Sequence, residues 1–474
     1  MVSHSQLGKH AVVLGGGIAG LLTARVLTEH FEQVSLIERD HYPEGPVFRP
    51  GVPQGRYFHI LLARGQQIIE ELFPGIQEDL ATRGAIEGDW TKDYRHRLRF
   101  GWCQRVSSPL RIYAMRRVLL EWQVRQALVK NPQIRIIDGH EVVNLVASED
   151  GKSVVGVSLR ARPRPGGQMQ GSNGQPDDGA FSHPLPPQVL TALSQVTADL
   201  IVDATGRDSK ACEWLKSLGY APPPETIIDP FLGYVSQLYA PPSDVERDWS
   251  GLIIGITPPE NLRTGIIMPN DEGHWMVALG GAGKDYPPHD TDAFLEFGKG
   301  LPDPAWFEAM KGARPLSPIY GYRKTENRIH HFERLRRQPE RFLVIGDAAC
   351  ALNPVYGQGM AVAALGAMEL RECLRQCGPG NLSGLARRFQ RRLARLNTLP
   401  WGLAASLDLK VPGVEGGKRK RSTTLMNRYL ERVLQLVVVD PYVASLFFQV
   451  VQMVKPPKVL FKPSIIMKVI FSKK

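Results

Sequence analysis

The sequence predicts an α/β chain built from two domains and a helical C-terminal region. Three observations carry that prediction. A glycine-rich turn joins a short β-branched run to a helical pattern near the N-terminus. From Phe231 to about Ile329, short apolar strands alternate with Pro/Gly turns, the mark of an antiparallel sheet. The last 70 or so residues have helical spacing and are punctuated by prolines at 412, 441, 456, 457 and 463.

The 474 residues suffice for two or three domains with a large core. Hydrophobic residues make up 43% and charged residues 22%, which excludes a disordered or fibrous chain. Five cysteines without a C-x-x-C pair predict no disulfide framework, no metal site and a reducing, cytoplasmic compartment. Net charge is 58 − 47 = +11, and Lys410 to Lys474 holds 13 Lys/Arg against three acids. The basic excess lies in an apolar tail instead of on an aromatic-interleaved reading element, which argues against nucleic acid. Two readings of the tail stay open: peripheral contact with a membrane, or a lysine-faced helical cap packed on the domains. Its longest apolar run, Tyr442 to Val454, is interrupted and shorter than the roughly 20 residues a spanning helix needs.

Taken in order, His10–Leu14 predicts a strand, Gly15-Gly-Gly-Ile-Ala-Gly20 a turn, and the following residues a helix. Val34–Ile37 forms a second strand ending at Glu38. Gly15, Gly17 and Gly20 make the G-x-G-x-x-G spacing, with Ala19 at the helix start. There a tight turn, close backbone approach and a helix N-terminus suit a pyrophosphate. Glu38, 18 residues on, is placed to accept both ribose hydroxyls of an adenosine, with Arg39 as a further phosphate or adenosine contact. Residues 41–56 form a loop, and Arg56 and His59 lie where that loop ends. Residues 162–187, with six prolines and five glycines, form a flexible excursion between two strands.

A second nucleotide signature arrives about 300 residues later. Gly346-Asp347 follows a buried strand, where the carboxylate suits a ribityl chain. Asn353-Pro-Val-Tyr-Gly-Gln-Gly-Met360 then starts a helix, whose free N–H groups suit a flavin's pyrimidine end. Two distant segments gripping one extended dinucleotide point to FAD.

Together with Asp203-Ala-Thr-Gly206-Arg-Asp-Ser209, these motifs resemble the single-component FAD-dependent monooxygenases, the group of para-hydroxybenzoate hydroxylase and squalene epoxidase. Gly51-Val-Pro-Gln-Gly-Arg-Tyr-Phe-His59, Leu72-Phe-Pro-Gly75 and Asn353–Met360 are most similar to the polyketide polyene epoxidases. The resemblance implies a discontinuous Rossmann-like FAD-binding domain (1–90, 112–210 and 340–400) and an antiparallel-sheet substrate domain (91–111 and 211–339). The C-terminal helical region is 401–474. Gly15, Gly17, Ala19, Gly20, Glu38, Arg39, Arg117, Asp203, Gly206, Gly346, Asp347, Pro354, Gly357, Gly359 and Met360 would hold FAD, with Arg116 not separable from Arg117.

NAD(P)H and O2 would be co-substrates. A lipophilic polyketide or isoprenoid would be epoxidised or hydroxylated through a flavin hydroperoxide, in secondary metabolism. The cofactor carries that chemistry, so no catalytic constellation is expected beyond candidates Arg56 and His59. Trp275, Tyr286 and Phe294 are either pocket wall or core. An alkene reductase similar to geranylgeranyl reductase shares these motifs and stays open. A non-enzymatic flavin-binding membrane adaptor would also suit the tail. A flavin halogenase is disfavoured, since W-x-W-x-I-P is missing from the sequence.

Overall fold

The computed structural model describes residues 6–164, 193–243, 247–417 and 424–471. From residue 165 on, the expected excursion over 162–187 lies outside them.

Five parallel strands form the first core, in the order Phe342–Val344, Leu200–Asp203, Gly8–Leu14, Phe31–Ile37 and Ile134–Ile137. Their Val/Ile/Leu-rich sequences suit a sheet covered on both faces. Helices Ile18–Leu27 and Gly359–Arg375 pack against one another in its main hydrophobic cluster. A three-stranded antiparallel sheet, Ser194–Thr197, Val154–Ala161 and His140–Ala147, joins the same cluster. Helix Ala211–Ser217 belongs here too: Trp214 is buried and donates its indole N–H to Val143 O at 2.9 Å. Expected from sequence to open the sheet domain at 211, this helix packs in the cluster of the parallel sheet.

The second domain is an eight-stranded sheet. Its centre, Gly233–Ala240, Trp275–Gly281, Arg263–Pro269 and Gly251–Ile254, is antiparallel, while Tyr94–Leu98 joins Gly251–Ile254 in parallel. Alternation sorts the side chains onto two faces. Val235, Tyr239, Val277 and Leu279 pack with Phe294 and Trp306 from two helices behind the sheet. Trp275 stacks on Trp249 and Phe294 on Tyr239, so both belong to the core and not to a pocket wall.

The opposite face meets the C-terminal region. Val433, Leu436, Val437, Val443, Phe448 and Leu460 bury themselves with Trp90, Tyr94, Ile112 and Met268. Gln452, 1% exposed, caps helix Ala63–Leu72 by accepting the Ala63 N–H at 2.7 Å. The packed reading of this part of the tail is thus observed. No single helix among the described residues is long and apolar enough to cross a membrane.

Phe448 is 3% exposed and its ring lies 4.6 Å from that of His96. Phe448→Ala should lower the free energy of unfolding by ~3–5 kcal/mol in urea titrations. A loss below ~1 kcal/mol would mean that the tail is only loosely seated.

Candidate active site

Close backbone contacts bring three distant segments together at the carboxyl ends of the parallel strands. Gly15 has φ +92°, and a Cβ there would stand 2.7 Å from Ala204 O, so the first turn lies directly on the Asp203–Gly206 loop. A Cβ on Gly20 would fall 1.8 Å from Gly15 O, which seats the helix on its own turn. Gly346, at φ +65°, abuts Ala19 Cβ at 2.9 Å. Around Gly17 no atom lies within 4 Å of where a Cβ would stand, so the second glycine faces open space. That division between close packing and open approach is what a pyrophosphate-binding turn requires.

The carboxylates differ in their duties. Asp203 is fully buried and accepts from Thr205 N–H at 2.9 Å, Thr205 Oγ1 at 2.6 Å and Ser209 Oγ at 2.5 Å. Burial raises its pKa against those hydrogen bonds. These hydrogen bonds shape the turn, and Gly206 (φ +83°) faces open space. Asp347 has no hydrogen-bond partner among the described residues, and a Cβ on Gly359 would stand 3.8 Å from its Oδ1. Burial raises its pKa, with Arg207 and Arg117 opposing. An unpartnered carboxylate beside a helix start suits a hydroxyl-bearing chain.

Glu38 is 5% exposed and already occupied. Its Oε2 accepts Gly16 N–H at 2.8 Å and faces Arg49 at 3.1 Å, while Oε1 accepts Asp40 N–H at 3.0 Å. Lone-pair capacity remains on Oε1, less than the grip on both ribose hydroxyls expected from sequence. Arg39 is exposed beside it.

Arg49 is the residue that sequence reasoning missed. Its guanidinium reaches Glu38, Asp40 and Glu121 at 3.1, 3.1 and 2.8 Å and donates to Gly16 O at 3.1 Å. Arg117 and Arg125 complete a neutral set of three arginines and three carboxylates. Arg117, Glu121 and Arg125 lie four residues apart along helix Arg117–Val129, on one face. That spacing was the available signal.

The structure separates the adjacent arginines. Arg116 points to Asp271 and Glu272, at 2.7 and 2.6 Å, and ties the two domains together. Arg117 lines two clefts. One runs past Arg49, Glu121 and Arg125. The other is walled by Ile60, Leu61, Ile112, Met268, Met276 and Met360, with His59 and Arg117 at its polar edge. Arg117 Nη1 lies 3.5 Å from His59 Nε2, and burial followed by Arg117 pushes the His59 pKa down to about 3. Arg56 is exposed and stacked over Phe48 and Tyr320, away from both clefts.

The turn before helix Gly359–Arg375 is anchored from below. Pro354 opens a short 3-10 turn, and Gly357, at φ +66°, packs on Ile60. Buried Asp408 accepts from Tyr356 Oη at 2.5 Å and from both Asn353 and Asn327 amides. Tyr57, Tyr234 and Tyr322 form an aromatic group where the 57–59 loop meets the sheet, with ring centroids 5.5–5.6 Å apart. Burial raises all three pKa values, that of Tyr322 to about 12.

The residues fit an extended flavin dinucleotide. Gly17 is open, Asp347 is unpartnered, and Gln358 Oε1, Arg117 Nε and Glu121 Oε2 are buried without a hydrogen-bond partner. Such orphans are costly unless a ligand satisfies them.

No family model matches the chain. Protein Rv3254 of Mycobacterium tuberculosis is 27% identical over 444 residues, covering 93% of this chain and 88% of that protein. Among solved structures, the flavin-dependent brominase Bmp2 superposes at a TM-score of 0.64 with 15% identity, over 94% of this chain and 93% of that one. p-Nitrophenol 4-monooxygenase PnpA from Pseudomonas putida gives 0.62 with 15% identity, over 94% and 99%. PqsL, a probable FAD-dependent monooxygenase from Pseudomonas aeruginosa, gives 0.58 with 14% identity, over 86% and 97%. The fold is that of the FAD-dependent monooxygenases and halogenases.

Two outcomes test this geometry. Gly15→Ala should cost ~1–3 kcal/mol of apoprotein stability through backbone strain and overlap with Ala204. Gly17→Ala should leave apoprotein melting unchanged yet weaken FAD binding in fluorescence titrations; equal behaviour of the two variants would contradict the assignment.

The pH dependence has a definite sign. An unfolded His takes a proton near 6.5, whereas His59 resists until about pH 3. The unfolded chain therefore binds more protons between those values, so stability is complete above pH 7 and declines as pH falls through 6.5 toward 3. The urea midpoint of His59→Asn should fall less steeply between pH 7 and pH 5 than that of the wild type, and parallel slopes would refute it.

Proposed function

We propose that the chain is an FAD-dependent monooxygenase that uses NAD(P)H and O2 to oxygenate an uncharged, lipophilic alkene of polyketide or isoprenoid type. The observation that carries this reading is the methionine- and isoleucine-lined cleft that opens beside His59, Arg117 and the start of helix Gly359–Arg375. Bound FAD would supply the redox and oxygen-transfer chemistry. Gly15–Gly20 and Glu38 would hold its adenosine and pyrophosphate, Asp347 its ribityl chain, and the Gly357–Met360 backbone its ring.

The protein's own contribution is desolvation and orientation. His59 stays neutral at working pH and so puts no added charge on the cleft. The tyrosine group cannot serve as a base near pH 7, because each hydroxyl is held above its ordinary value. Phenol activation through an ionised tyrosine is thereby disfavoured relative to attack on a neutral double bond. The fold also accommodates halogenases, but none of the eight tryptophans lies two residues from another, so the W-x-W-x-I-P pattern is missing.

The test is single-turnover kinetics. Flavoprotein reduced without oxygen and then mixed with oxygenated buffer should show a transient absorbance before oxidised flavin returns. A polyene present in the mixture should gain one oxygen atom from labelled O2. Direct return to oxidised flavin, with saturation of the alkene under NADPH alone, would replace this reading with the alkene reductase.

A further inference from the structure

The end of the C-terminal region carries a surface that the fold leaves unused. Helix Pro463–Phe471 turns Ile465, fully buried, toward the cluster around Val443 and Phe448, with Val469 partly buried beside it. Its opposite face is also apolar. Met467, Ile470 and Phe471 are spaced three and four residues apart and exposed at 53%, 64% and 70%. A surface helix normally sets polar residues against solvent, whereas this one, apart from Ser464 and Lys468, is apolar on both faces.

The neighbourhood extends this face. Val439 and Tyr442, both exposed, precede and open helix Pro441–Val451, and Lys468 bonds to Asp440 between them. Eight of the fifteen exposed large apolar side chains among the described residues fall between Met426 and Phe471, about a tenth of the chain. Of these, Met467, Ile470 and Phe471 share one helix face, and a contiguous exposed apolar face marks an interaction site, whereas scattered exposure needs no explanation.

The charge around it is predominantly basic, and the two acids of the segment, Glu431 and Asp440, are paired with Arg99 and Lys468. Lys458 and Lys462 are exposed, Lys455 is partly so, and none of them has an ion pair among the described residues. Asp440 is committed to Lys468 and to the N–H groups of Tyr442 and Val443 at 3.0 and 3.1 Å. We propose that this surface docks peripherally on a bilayer bearing anionic headgroups, with Met467, Ile470 and Phe471 entering the apolar boundary and the lysines at headgroup level. A second copy of the chain fits less well, since a two-fold contact would set these lysines against themselves. That the bilayer also delivers the alkene rests on the proposed function; the docking does not.

The experiment uses the purified full chain loaded with FAD, floated with phosphatidylglycerol/phosphatidylcholine vesicles or with phosphatidylcholine alone. Binding should be more than about tenfold stronger on the anionic vesicles and should weaken with salt. The double variants Ile470→Glu/Phe471→Glu and Lys458→Glu/Lys462→Glu should each lose more than about tenfold, with FAD content and melting temperature unchanged. Three results would overturn the proposal: no flotation, flotation indifferent to both variants, or a dimer in light scattering that Ile470→Glu/Phe471→Glu dissolves. Alkene oxidation assayed in detergent without vesicles keeps failure here separate from failure of the functional reading.

Discussion

Everything at the candidate site depends on how closely the backbone can approach itself at the carboxyl edge of the parallel sheet. Gly15 lies on Ala204, Gly20 on Gly15, and Gly346 on Ala19, each at a separation that a side chain would forbid. These contacts draw together segments nearly 200 and more than 300 residues apart, so the cradle exists only once the whole sheet is assembled. Parallel pairing needs long crossovers, and the eight-stranded sheet is built from two of them: Tyr94–Leu98 and Gly101–Trp102 come from the one between Phe31–Ile37 and Ile134–Ile137, and its other strands from the one between Leu200–Asp203 and Phe342–Val344. The two crossovers bring Ile112 and Met268 together in the wall of the apolar cleft.

The second constraint is electrostatic. Burying Arg49 with three carboxylates removes four charges from water, a cost that mutual attraction offsets only when every group is well placed. The structure assembles the set from the strand end at Glu38, the loop carrying Arg49, and one face of helix Arg117–Val129, and leaves Glu121 Oε2 without a hydrogen-bond partner among the described residues. The loop and the helix are thereby fixed to the glycine turn, through Gly16 O and Gly16 N–H. Asp408 does similar work at the other end of the cradle with neutral partners, and holds the Asn353–Tyr356 turn in place before the helix start.

How much of this was legible in the chain follows from the range of each interaction. The glycine turn, Glu38, and the Gly346–Met360 segment are local motifs, and a local motif announces its geometry. The α/β class and the antiparallel domain follow from periodicity. Arg49, the tyrosine group and Asp408 act across tens to hundreds of residues, and nothing in their immediate sequence records their partners. Asp203 lies in a visible motif, but how its carboxylate is shared between a ligand and its own turn is a question of rotamer and hydrogen bonding. Arg116 and Arg117 could be distinguished only by where the helix begins.

The tail shows why composition could not decide between packing and docking: its two faces do different things. Leu436, Val437, Phe448 and Ile465 supply a wall behind Met268 and Ile60, and so help enclose the cleft. Enclosure determines what the cleft accepts. Arg117, the one cation among the described residues lining it, already faces Glu121 at 3.9 Å, and His59 resists protonation. An ionised substrate would surrender its hydration without gaining a free counter-charge, whereas a neutral alkene gives up nothing on entering. Under the proposed function, selectivity for uncharged, lipophilic molecules would need no dedicated specificity residue; the same burial would impose it.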